Sequence, residues 1–246
     1  MIHGPDLLKS AVPDPDRLRQ APMPNAFKSV FDAITRTVKI KEPYKDPYTG
    51  KRPAFSTEII SGFEDLIGKE PIGAGRFYNT ANTIKQLTFA ISFDLHPDFT
   101  EILTSNKKID SRTVVRKLRD AQVLKGKKIM DLGAGFPSFA VAAGALGAEI
   151  YTADAQDIDI SNYSNVIAGH IVVDFNEKNA DTKLRRATSG NFDLITENII
   201  GGVPYQSVEV EDVEPATIER IAATLLKRGG YLYRPAYPLR SILRME

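Results

Sequence analysis

The chain of 246 residues has no cysteine, no tryptophan, only three histidines and a net charge of just +1. Each shortage excludes something. Without cysteine there is no disulfide framework, no thiolate zinc site and no thiol nucleophile. That suits a reducing compartment, and a cytoplasmic setting is expected. His3, His96 and His170 lie too far apart to suggest a metal cluster, so no metal is expected. The balance of 32 Lys and Arg against 31 Asp and Glu leaves no electrostatic footprint for nucleic acid or an anionic membrane. No apolar run approaches the roughly 20 residues that span a bilayer. The opening Met1-Ile2-His3-Gly4-Pro5-Asp6 lacks the basic-then-apolar order of a signal peptide.

Proline is plentiful, but unevenly placed. Residues 1–56 hold Pro5, Pro13, Pro15, Pro22, Pro24, Pro43, Pro47 and Pro53. Proline breaks helices and removes amide donors, so this stretch reads as an arm with short helices. One helix is expected from a cap at Asn25 through Phe27, Val30, Phe31, Ile34 and Val38, which recur at helical spacing. Residues 57–125 read as a helical cap. Its apolar faces run over Ile59–Ile67, over Ile84–Phe93 up to Pro97, and over Thr113–Val123 behind a cap at Asp110 or Ser111.

Residues 126–246 alternate between strand and helix periodicity. Strands are expected at Lys128–Leu132, Glu149–Asp154, Ile171–Asp174, Phe192–Thr196 and Tyr231–Pro235. Between them lie helices at Pro137–Leu146, Ala180–Ala187 and Pro215–Lys227, the last ended by Gly229-Gly230. This alternation predicts an α/β fold with a mostly parallel sheet and right-handed crossovers.

In such sheets ligands bind beyond the carboxyl ends of the strands. Four features fall there: the turn Asp131-Leu132-Gly133-Ala134-Gly135, then Asp154, then Asp174-Phe175-Asn176, then Glu197-Asn198. The two glycines permit positive φ and close approach of a ligand to backbone. The following helix offers an electropositive end. An acid about 20 residues after the turn suits ribose hydroxyls.

The text KKIMDLGAG, EIYTADA, VVDFN, FDLITEN and LLKRGGYLYRP, over roughly residues 125–237, resembles the class I S-adenosylmethionine-dependent methyltransferases. The resemblance implies a Rossmann-like sheet, S-adenosyl-L-methionine as cofactor and an unidentified methyl acceptor. It places Asp131, Gly133, Ala134 and Gly135 at the methionine part of the cofactor. Asp154 would bind its ribose, Ala155 would lie beside the adenine, Asp174 would meet the adenine amino group, and Phe175 would form a neighbouring wall. Glu197 and Asn198 would face methyl transfer and are the candidate catalytic residues, with Glu197 also among the cofactor contacts.

A nicotinamide-binding domain is the rival reading of the turn. It requires a third glycine where Ser138 stands, and an apolar residue where Asp131 stands. Pro137 occupies a position at which many of the methyltransferases carry glycine. Asn198-Ile199-Ile200-Gly201 departs from the Asn-Pro-Pro-Tyr signature of enzymes that methylate amino groups on bases or glutamine. Balanced charge favours a small-molecule or protein acceptor. The family's sheet normally continues past the fifth strand, which here leaves a shortened C-terminal end and an open edge blunted by Arg234 and Pro235. A truncated chain, a sheet completed by another chain (a homodimer through that edge) and a reduced variant are all compatible with this. A non-catalytic domain used for cofactor binding or assembly is therefore the alternative function.

Overall fold

The computed structural model describes residues 15–35, 76–104, 111–135, 137–197, 213–235 and 241–246. Seven strands form one sheet: β1 (Leu18–Gln20), β2 (Lys128–Leu132), β3 (Glu149–Asp154), β4 (Gly169–Val172), β5 (Phe192–Glu197), β6 (Leu226–Tyr233) and β7 (Ile242–Met245). Their spatial order is β1-β7-β6-β5-β2-β3-β4. Strands β2 to β6 are mutually parallel, while β7 runs antiparallel to both β6 and β1. The helices are α1 (Phe27–Ile34), α2 (Arg76–Ser92), α3 (Pro97–Thr104), α4 (Ser111–Asp120), α5 (Ser138–Ala145), α6 (Ala180–Thr188) and α7 (Pro215–Leu225).

Strand side chains alternate between two faces, and both faces are covered. Ile129, Ile150 and Leu194 join the core formed with α1, α2, α4 and α5. Their neighbours Met130, Leu132 and Ile195 join a second core with α6 and α7. A strand buried on both faces reads as a continuous apolar run, as Ile129-Met130 and Leu194-Ile195 do. Helix α5 has no polar side, and Phe139 to Ala143 are all buried. Gly144 lets the chain pass closely there: a Cβ on it would lie 2.0 Å from the Val166 carbonyl oxygen.

The expected strands at Lys128–Leu132 and Glu149–Asp154 form with those bounds. Others differ. The third parallel strand is Gly169–Val172, which leaves Asp174 beyond its end. The first helix starts at Phe27 after Ala26, with no side-chain cap, so Asn25 does not cap it. Gly229-Gly230 does not end a helix. The chain leaves α7 directly into β6, and the glycines lie within that strand beside a register irregularity against β5. Gly229 has φ +80, and a Cβ on Gly230 would sit 2.7 Å from the Phe192 carbonyl oxygen. Glycine inside a strand is typical of a bulge or of close backbone approach. The apolar face expected over Ile59–Ile67 lies outside the described residues.

The largest correction concerns the open edge. β6 is not an edge, because β7 pairs with it and β1 pairs with β7, Leu18 opposite Met245. A strand from the N-terminal arm thus completes the side of the sheet where a shortened end was expected. Arg234 does not blunt an edge either: it is buried, and its amide donates to the Ser241 carbonyl at 2.8 Å. The edge on which a homodimer was expected is covered within the chain.

Candidate active site

Strand order reverses between β2 and β5: the chain moves outward from β2 to β3 and β4, then returns to β5 and continues the other way. The crevice at such a reversal is where an open α/β sheet takes its ligand. The sheet residues at this point are Asp131 and Leu132 on β2, paired with Thr196 and Glu197 on β5.

Immediately after β2 the chain turns through Gly133 at φ +64 and Gly135 at φ +48. Both values lie in the left-handed region, where a side chain is strained. Among the described residues beyond its chain neighbours, no heavy atom lies within 4 Å of a Cβ built on Gly135, so backbone conformation rather than crowding selects glycine there. The turn is pinned to the end of β3. The Gly133 amide donates to the Ala153 carbonyl at 2.8 Å, and the Gly135 amide donates to Asp154 Oδ2 at 3.0 Å. Asp154 Oδ1 accepts from the Gln156 amide at 3.0 Å. The acid expected at a ribose is therefore held in place by backbone amides, one of which comes from the glycine turn itself.

Asp131 has the parity of Ile129 and so faces the α2 layer, where it is buried. Its Oδ1 accepts from Thr196 Oγ1 at 2.9 Å and from Gln86 Nε2 at 3.3 Å. Burial pushes its carboxyl up to about 7, against those two hydrogen bonds, and the nearby charge of Asp154 adds to the rise. Thus the acid before the turn is poised to change charge near neutrality. A cationic ligand group would favour its ionised form.

Gln86 comes from α2, and the run of this helix explains the contact. Asp94, just after α2, pairs with Lys127, just before β2. Gln86 meets Asp131 at the other end of the same strand. Eight helical residues rise about 12 Å and four strand residues about 13 Å, so the two elements lie alongside each other in opposite senses. The first turns of α2, residues 76–82, therefore lie towards the carboxyl end of β2. Their side chains lie outside the described set.

Of the other expected site residues, Ala134 is buried in the turn and Ala155 is exposed after β3. Asp174 is exposed and accepts from the Asn176 amide at 2.9 Å. It stays close to Asp154, since the Val173 amide donates to the Asp154 carbonyl at 2.8 Å. Phe175 is buried in the core on the α6 and α7 side with Leu184 and Ala180. Glu197 ends β5, is buried, and has the parity of Ile195, which faces that same side. It lies one residue beyond the Thr196–Tyr233 pair, level with Arg234, whose Nη2 donates to Glu219 Oε1 of α7 at 3.0 Å. Asn198 lies outside the described residues.

Gln86 and Thr196, the two donors to Asp131 among the described residues, were not singled out in the sequence, and Arg234 was read there only as an edge residue. A signal existed for the first: Gln86 shares a helical face with the apolar Phe89, Ala90 and Phe93, three, four and seven residues on. His170 plays a supporting part. Its Nδ1 shares a hydrogen bond with Thr152 Oγ1 at 2.9 Å, and its Nε2 approaches the Gln156 carbonyl at 3.0 Å, behind the loop that carries Asp154.

No protein-family model and no curated protein sequence matches the chain. Among solved structures it is similar to SMU.776, assigned as a methyltransferase and complexed with SAH. The identity is 19% over 51% of this chain and 34% of that one, with a TM-score of 0.36. The chain thus spans about a third of that protein's length. It is also similar to magnesium protoporphyrin IX methyltransferase from Synechocystis PCC 6803 with bound SAM, at 13% identity over 72% and 71% of the two chains, TM-score 0.31. A third likeness is to the MycE methyltransferase of mycinamycin biosynthesis in complex with Mg and SAH, at 14% identity over 84% and 51%, TM-score 0.32. At these values the likenesses carry no argument of their own. Strand order, the reversal between β2 and β5 and the glycine turn at that point make this a Rossmann-like α/β chain.

Proposed function

We propose that the chain binds S-adenosylmethionine at the carboxyl ends of β2, β3 and β5 and transfers its methyl group to an acceptor. The observation that carries this reading is the bond from the Gly135 amide to Asp154. It joins the glycine turn and the ribose-directed acid into one preformed cradle beside the poised carboxyl of Asp131. In this reading Asp131, Gly133, Ala134 and Gly135 hold the methionine part and Asp154 the ribose, with Ala155 and Asp174 towards the adenine. Phe175 supports that end from the core, and Glu197 with Asn198 borders the transfer point. The cofactor supplies the electrophilic methyl group. The protein's contribution is to align the acceptor and exclude water.

Balanced charge supports a small-molecule or protein acceptor, and the absence of cysteine supports a cytoplasmic setting. Among the described residues no helix is long and apolar enough to cross a membrane. The non-catalytic reading drew on an open edge at β6, which β7 covers, and on the departure from Asn-Pro-Pro-Tyr after β5, which stands.

Calorimetry of the whole chain tests the proposal. S-adenosylmethionine and its demethylated product should both bind, and Asp154→Ala should weaken each by about 10- to 100-fold through loss of a charge-assisted contact. Failure of the folded protein to bind either compound would sink it. Binding of a nicotinamide cofactor in their place would restore the oxidoreductase reading.

A further inference from the structure

We propose that Gln86 is a binding residue of this site, its carboxamide oxygen receiving a hydrogen from the ammonium group of an amino-acid head held against Asp131. The inference rests on the cofactor reading above and extends the pocket to a helix in the other half of the chain.

Three observations converge. Gln86 is fully buried, yet its Oε1 has no hydrogen-bond partner among the described residues. Buried polar atoms are ordinarily paired, and an orphan calls for an explanation. A leucine would fill such a position in a buried helix without this penalty. Secondly, among the described residues the donors at Asp131, from Thr196 and from Gln86 itself, both reach Oδ1 and none reaches Oδ2, the oxygen a ligand would take. An ammonium group has three hydrogens to place and a carboxamide oxygen can accept. Asp131 Oδ2 and Gln86 Oε1 therefore make a matched pair of acceptors, one of them charged. Thirdly, α2 runs along β2 with its first turns towards the carboxyl end of that strand, the end at which the glycine turn begins.

The charge on Asp131 decides which end of the carboxamide faces it. With the acid ionised, Gln86 donates through Nε2 and leaves its oxygen to a ligand. With the acid protonated, the carboxamide turned end for end would accept the acid's hydrogen. A cation bound here selects the ionised acid, which is the arrangement that offers it the second acceptor.

The test compares two probes on the full chain at pH 8: S-adenosylhomocysteine, and 5′-methylthioadenosine, which keeps the nucleoside and sulfur but lacks the amino-acid head. Gln86→Leu should weaken S-adenosylhomocysteine about 10-fold and leave methylthioadenosine within about twofold, the loss of one hydrogen bond to a charged group. Its melting temperature is measured alongside, because the substitution removes an orphaned buried oxygen and also the Nε2 donor to Asp131. Gln86→Glu, which keeps an acceptor, should retain the preference for the headed ligand. Where the leucine variant does not fold, Gln86→Met makes the same comparison. Equal losses for both probes, or no loss for either, would overturn the role of Gln86 while leaving the cofactor reading intact. A wild-type chain that binds neither probe would overturn both.

Discussion

Thr196 on β5 donates its hydroxyl hydrogen to Asp131 Oδ1 on β2 at 2.9 Å, across the line where the strand order reverses. The bond crosses the boundary between the two halves of the sheet and stabilises the charged form of a carboxyl that burial disfavours. Replacing the hydroxyl by a methyl keeps the shape and removes the donor. Thr196→Val should therefore cost about 1–3 kcal/mol above neutral pH, where Asp131 is ionised, and less at pH 5, where it is protonated. Urea denaturation at the two pH values checks this.

The raised carboxyl of Asp131 also sets a slope of stability against pH. Its ordinary value is 3.8 and its folded value is about 7. Between these, the folded chain holds a proton that the unfolded chain has released. Its contribution is full below about 4, falls as pH rises towards 7, and is lost above that. Asp131→Asn cannot ionise and should flatten that part of the profile. Asp94 acts in the opposite sense. Its hydrogen bond with Lys127 lowers its carboxyl, so its contribution is present above the ordinary value and is lost as pH falls through the lowered one. Denaturation midpoints of wild type and Asp131→Asn, compared from pH 5 to 8, isolate the Asp131 contribution. A constant difference between the two curves would refute it.

Two glycines should respond differently to the same substitution. Gly135 has φ +48 and open space where a Cβ would go, so Gly135→Ala should cost about 1 kcal/mol of backbone strain. At Gly144 a Cβ would lie 2.0 Å from the Val166 carbonyl oxygen. Gly144→Ala must displace backbone, and a loss of about 3 kcal/mol or more is expected, as for overpacked cores. Thermal melts of the two variants give the order. Near-equal losses would show that the loop by Val166 yields.

The pairing of β1 with β7 is tested by removing residues 1–20. This uncovers the backbone groups of β7 and the pocket that Leu18 fills beside Leu243 and Met245. An exposed edge with apolar neighbours associates with other chains. Light scattering should show a concentration-dependent rise in mass for the shortened chain compared with the full one. Unchanged mass and melting temperature would mean that β1 is dispensable.

Much of the parallel core could be read from residues alone. Lys128–Leu132 and Glu149–Asp154 are short apolar runs bounded by turns, and local propensity and packing agree there. The positive-φ turn at Gly133 and Gly135 was likewise legible, because only glycine takes that conformation without strain. Gly229-Gly230 was misread because a glycine pair can end a helix or relieve a bulge, and only the neighbouring strand decides which.

What tertiary structure alone decided are contacts between distant positions. Leu18 meets Met245 because the sheet had a place for one more parallel strand beyond an antiparallel one, and the N-terminal arm reached it. Gln86 meets Asp131 because α2 lies along β2, a matter of how two elements stack. Glu197 faces away from α2 because strand parity, fixed by the register with β2, points it there. Sequence determines where the chain bends and which local faces are apolar. Which faces then meet depends on the packing of the whole, and that packing brings Gln86 of α2 and Thr196 of β5 onto the acid before the glycine turn.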